Sequence, residues 1–136
     1  MRKPKAIVLD SWAIMAFLED EEPAGARVAD IIADAHDDGT PLLMTVVNAG
    51  EIWYVFARRT SVAEADNSIK VLKEIGIKFV DVDWPLTKLA AGFKVKGNIS
   101  YADCYAAALA KQHRAHLVTG DKEFQQVESD VAVIWL

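Results

Sequence analysis

The chain contains a single cysteine, Cys104. No internal disulfide can form, so the fold does not depend on an oxidising compartment. In its alanine-rich segment the thiol reads as a small buried hydrophobe rather than a nucleophile. Long apolar runs are missing too. The first one, after a short basic start, ends at Asp10, which is too short and too interrupted for a signal peptide or a membrane span. A cytoplasmic protein is therefore expected. There is no glycine-rich phosphate loop and no serine set in a nucleophile elbow. His36, His113 and His116 lack the spacing of a zinc site and read as surface or helix-end residues. Positive charge is also in short supply: 15 Lys and Arg face 20 Asp and Glu, a net charge of −5. That disfavours binding nucleic acid by charge alone, but not an enzyme that meets phosphate through metal ions. The basic residues at Arg2, Lys3 and Lys5, at Arg58 and Arg59, and at Lys94 and Lys96 each read first as solvated faces.

What remains is an ordinary globular composition, 52% hydrophobic and 26% charged over 136 residues, enough for one domain spanning 1–136 with a core of its own. Residues 5–10 read as a buried strand and WAIMAFLEDEE as a helix with an acidic, exposed end. A helix runs up to Gly39, with Val28, Ile31, Ile32 and Ala35 on one face. PLLMT is a short strand, followed by a helix capped by Thr45 and a second capped by Ser61 and closed by Gly76. IKFVDVD is a strand, WPLTKLAAGFKVKG a helix with Pro85 near its start, and a further helix starts at Ser100. HLVTGD is a strand and turn, DKEFQQV at most a short helix, and VAVIWL a terminal strand. Strands alternating with helices predict an α/β fold, a largely parallel sheet with helices on both faces.

Four acids stand out in that frame. Asp10 and Asp121 each close an apolar run, so in neighbouring parallel strands both emerge at the carboxyl edge of the sheet, where ligands of open α/β sheets bind. Glu51 and Asp103 fall on helices. Carboxylates gathered at one edge repel each other and are commonly stabilised by hard cations with oxygen ligands, such as Mg2+ or Mn2+. Each acid also has a plainer role open to it. Asp10 is a good N-cap, Asp103 follows Ser100 in a relative of the capping box, and Asp121 can cap the turn after it. Glu51, between Ala49 and Ile52, is the hardest to excuse, because a buried carboxylate needs a partner. The charge run Glu19–Glu22, the pair Asp37 and Asp38 before a glycine, and Asp81 and Asp83 at a strand end read as exposed.

VLDSWAIMAFLEDE, VNAGEIWYVFARR, SYADCYAAALAKQ and LVTGDKEF, in that order and spacing, resemble the PIN-domain ribonucleases and, within them, the VapC-type toxins of toxin–antitoxin pairs. The resemblance covers essentially the whole chain. It implies a three-layer α/β/α sandwich with a mainly parallel four- to five-stranded sheet. It also implies an acidic cleft in which Asp10, Glu51, Asp103 and Asp121 hold one or two Mg2+ or Mn2+ ions and are the catalytic residues. Ser11, Asn48 and Thr119 match supporting positions behind the acids. Trp12 is bulkier than the small residue expected beside Ser11 and should reshape the cleft wall. Glu123 would add at most a weak outer contact. The implied activity is endoribonucleolytic hydrolysis of RNA phosphodiester bonds by metal-activated water, often in structured RNA such as tRNA or rRNA. The implied partners are a cognate antitoxin, which often inserts Arg or Lys into the cleft, and a second copy in a homodimer. Ile52–Phe56 is a candidate contact surface, although core packing is its plainer role. Alternatives are a stand-alone PIN nuclease in RNA processing and a non-catalytic PIN module that binds RNA or protein. Haloacid-dehalogenase-like phosphatases fit poorly, since Trp12 stands where their second aspartate would. Receiver domains also fit poorly, since Asp10 has no acidic neighbour.

Overall fold

In the computed structural model, which describes residues 3–136, five short strands form one sheet. They are β1 (Ile7–Leu9), β2 (Leu42–Thr45), β3 (Ile77–Val80), β4 (His116–Thr119) and β5 (Ala132–Trp135). Every pairing is parallel, in the order β3-β2-β1-β4-β5. The expected architecture is therefore the observed one, with the sheet at its five-stranded limit. The central strands have no polar face because helices cover both sides. Val8, Leu43 and Leu117 point into one core, and Ile7, Leu9, Leu42, Met44 and Val118 into the other.

Helices α1 (Ser11–Leu18), α2 (Ala24–Asp38), α3 (Val46–Arg59) and α4 (Val62–Glu74) supply the second of these cores, and α5 (Trp84–Lys96) and α6 (Tyr101–His113) the first. The three layers follow. The caps are those the sequence predicts: the side chains of Thr45, Ser61 and Ser100 accept the free backbone N–H groups of Asn48, Glu64 and Asp103. In α6 every residue from Cys104 to Ala110 is buried. Its alanines let the helix lie close on the sheet, and Cys104 fills core space as expected.

Two boundaries differ most from the sequence reading. α1 stops at Leu18, so the acidic run at 19–22 lies beyond the helix. Carboxylates in a last turn oppose the helix dipole, which favours stopping before them. β3 stops at Val80, because Asp83 turns its side chain to the N–H of Leu86 and starts α5 instead of extending the strand. In the segment Ile52–Phe56, Ile52 is fully buried, Trp53 bonds Asp66 of α4 through its indole N–H at 2.9 Å, and Tyr54 is exposed. Core packing and helix clipping thus account for much of that segment. Among the described residues no helix is long and apolar enough to cross a membrane.

Sheet order has a direct consequence for the site. From β1 the chain moves outward to β2 and β3, then returns to β4 on the other side of β1. The crevice between the carboxyl ends of β1 and β4 is the switch point at which such sheets bind ligands. Asp10 follows β1 and Thr119 ends β4.

Candidate active site

Asp10 lies at the floor of that crevice with no solvent exposure. Its Oδ1 accepts the N–H of Ala13 at 2.8 Å, capping α1, and its Oδ2 accepts the hydroxyl of Thr119 at 2.5 Å. The capping and site readings of Asp10 are thus not rivals, since one carboxylate anchors a helix and charges the crevice. Burial pushes its pKa up from 3.8 to about 7, against the two hydrogen bonds and with help from the charges of Asp103 and Asp121. Thr119 also accepts the N–H of Asp121 at 3.0 Å, so one hydroxyl sets the spacing of two acids. Thr119→Val keeps the shape and removes both bonds. It is expected to destabilise the fold by about 2 kcal/mol in urea unfolding, with Thr119→Ser close to wild type.

Asp103 sits in the first turn of α6, behind its cap Ser100, and is half-buried. Burial again is the main cause of a pKa raised to about 7. The Ser100 hydrogen bond opposes it, and the charges of Asp121, Glu51 and Glu123 add to it. Asp121 caps the 3₁₀ turn Lys122–Val127 by accepting the N–H of Glu123 at 2.9 Å. That turn brings Glu123 round to the same side. One carboxylate oxygen from each of Asp103, Asp121 and Glu123 lies within 4.8 Å of the other two, a spacing that could hold a metal ion. Asp10 and Glu51 fall outside this trio: Asp10 is buried near enough to feel the charges of Asp103 and Asp121, and Glu51 lines the same cleft.

Glu51 is held by its own set of donors. Its Oε1 accepts the Ser11 hydroxyl at 2.7 Å and the Asn48 amide at 3.4 Å. Asn48 is fully buried and ties three elements together. Its Oδ1 accepts the Thr45 hydroxyl at 2.6 Å, and its amide also donates to the carbonyl of Ala102 in α6 at 3.1 Å. Glu51 and Asp103 therefore share a common brace. Among the described residues no buried side-chain polar atom lacks a hydrogen-bond partner.

These groups line a cleft of about 570 Å³. Among the described residues its acids are Glu19, Glu21, Glu51, Asp103, Asp121 and Glu123, and its one cation, Arg59, pairs with Glu19 at 3.1 Å. Glu123, Arg59 and the reach of Asn48 to α6 went unassigned or underweighted in the sequence. Glu123 is distinguished there only by lying two residues from Asp121, and the run containing Glu19 carried no sign of folding back onto α3.

A PIN-domain family model matches residues 7–129, nearly the whole chain. The chain belongs to the PIN-domain family. Solved structures share the fold. VapBC2 from Rickettsia felis, bound to a DNA fragment from its promoter, is 12% identical, with 96% of this chain and 98% of that chain covered and a TM-score of 0.75. VapC20 from Mycobacterium tuberculosis, a toxin that cleaves the sarcin–ricin loop, is 14% identical, covers 96% and 100%, and gives 0.74. VapBC-1 from nontypeable Haemophilus influenzae is 19% identical, covers 96% and 97%, and gives 0.72. At these identities the likeness shows the fold. No curated protein matches the chain in sequence. In this PIN domain Asp103 and Asp121 are drawn together with Glu123.

Proposed function

We propose that this PIN domain is a Mg2+- or Mn2+-dependent endoribonuclease and the toxin of a VapBC-type pair. The observation that carries the reading is the convergence of Asp103, Asp121 and Glu123 at the β1/β4 switch point, close to the buried Asp10. The donor set suits a hard divalent cation: it is all oxygen, and Asp103 within it and the buried Asp10 beside it bear an ionisation cost that a cation would offset. Asp103, Asp121 and Glu123 would hold the ion, with Asp10 and Glu51 completing the charge around it. When bound, such an ion neutralises phosphate charge and lowers the pKa of a water for attack on a phosphodiester.

The chain's own groups do the positioning. Thr119 and the Ala13 N–H fix the Asp10 carboxylate, and the Asn48–Ser11 pair fixes Glu51. Both bonds to Glu51 fall on Oε1, which leaves Oε2 to take a proton from an attacking water. Asn48→Ala frees that brace. It is expected to lower metal affinity or activity by roughly 10- to 100-fold, read from the Mn2+ dependence of RNA cleavage.

The toxin assignment is supported by the family and by the fold shared with VapBC complexes. A cleft this acidic also suits an antitoxin that inserts an Arg or Lys, since the cation would meet several carboxylates at once. The test is induced expression in a bacterial host. Wild-type protein should stop growth and deplete an RNA species, Asp103→Asn should do neither, and co-expression of a small adjacent gene should restore growth. Unimpaired growth with intact RNA would overturn the toxin reading.

A further inference from the structure

Trp12 is the one exposed apolar residue lining the acidic cleft among the described residues, with 37% of its surface open. It stands two residues after Asp10, in the first turn of α1. Its ring lies against Gly120, where a β-carbon would overlap Cη2 and Cζ3. Gly120 is flanked by Thr119 and Asp121. The indole is therefore seated on the very turn that carries one acid, and is tied through α1 to another. The open part of this seated indole, facing a polar cleft, is apolar area that a core position would have buried.

Charge explains what such a group could do. Among the described residues six carboxylates line the cleft, and the one cation there, Arg59, is already paired with Glu19. The side chains thus offer little attraction to a phosphate backbone. A nucleobase brings a neutral π-face, and stacking on an aromatic ring tolerates any base. Only an unstacked base can reach it, because bases inside an A-form duplex are already stacked on each other.

We propose that Trp12 is a stacking platform for one unpaired nucleobase beside the cleaved bond. The inference rests on the ribonuclease reading and specifies its substrate. The test uses short single-stranded RNAs, each with one abasic site at successive positions around the cut, and a fully paired duplex of the same sequence. They are cleaved in Mn2+ by wild type, Trp12→Ala, Trp12→Leu (which keeps apolar bulk over Gly120 without a ring) and Trp12→Phe.

In wild type, one abasic position should raise KM roughly tenfold to a hundredfold, and the duplex should resist. Trp12→Ala and Trp12→Leu should show that raised KM with the intact RNA, kcat within a few-fold, and no further abasic penalty. Trp12→Phe should recover most of the affinity. An abasic penalty that persists in the Ala or Leu variant, a wild-type KM in both, or a duplex cut as readily as the single strand overturns the role of Trp12 alone. Wild-type protein that cuts no RNA with any metal overturns the ribonuclease reading and this inference with it.

Discussion

Asp103→Asn is expected to lower RNA cleavage at least about 10³-fold, comparable to removing a main source of transition-state charge stabilisation. The fold should survive it. Asp103 is half-buried, its backbone N–H rather than its carboxylate secures the Ser100 cap at 3.2 Å, and Asn differs little in size. The substitution also removes one of the charges that repel each other in the cleft, so the metal-free protein should melt higher than wild type at pH 8. Loss of activity together with a gain in stability is the signature of a residue kept for chemistry. A variant that cleaved at the wild-type rate, or that lost activity by unfolding, would remove Asp103 from the site. Asp10→Asn should be equally inactive. It is the less clean test, because its amide would have to face a Thr119 hydroxyl that now donates to Oδ2.

The second large effect is on pH. Asp10 and Asp103 both titrate at about 7 in the metal-free protein, driven there chiefly by burial. A cation held by Asp103 and close to Asp10 favours the ionised form of both, so affinity should fall as pH drops below 7, by up to roughly tenfold per unit for each proton released. Cleavage at limiting Mn2+ should rise steeply from pH 6 to pH 8 and then level off, while saturating Mn2+ should flatten the profile. The sign for stability is opposite. Because the folded pKa lies above the unfolded value, the native state holds more protons than the unfolded state between about 4 and about 7. The metal-free protein therefore loses stability from these groups as pH rises through that window, and Mn2+ restores it at pH 8. The melting temperature measured at pH 5 and pH 8, with and without Mn2+, separates the two. A difference between wild type and Asp103→Asn that stayed constant with pH would contradict the assignment.

Much of this arrangement was legible in the sequence, for identifiable reasons. Short runs of Ile, Val and Leu ending in Asp or in Thr-Gly-Asp announced parallel strands whose acids face one edge. Thr45, Ser61 and Ser100 marked helix starts because their hydroxyls have a backbone duty there and little reason to sit mid-helix. Glu51 was conspicuous because it lies inside a largely apolar helix and needs a partner there, and the structure gives it partners 3 and 40 residues away. What the sequence could not show were distances between elements. The amide of Asn48 reaches Ala102, 54 positions on, and Arg59 meets Glu19 across 40. Glu123 enters the trio from the first turn of the 3₁₀ helix after Asp121, a helix too short to be announced by periodicity. Trp12 was visible as an oddity of size, but its seat on Gly120 depends on β1 and β4 being neighbours.

The most direct test of the central claim is incubation of the purified, antitoxin-free protein with total RNA in Mn2+ or Mg2+, beside an EDTA control, with the ends of any products mapped. The carboxylate cleft predicts discrete cuts that leave a 5′-phosphate and a 3′-hydroxyl and that vanish in EDTA. Cuts that persist in EDTA, or no cuts with either ion from a folded sample, would contradict it.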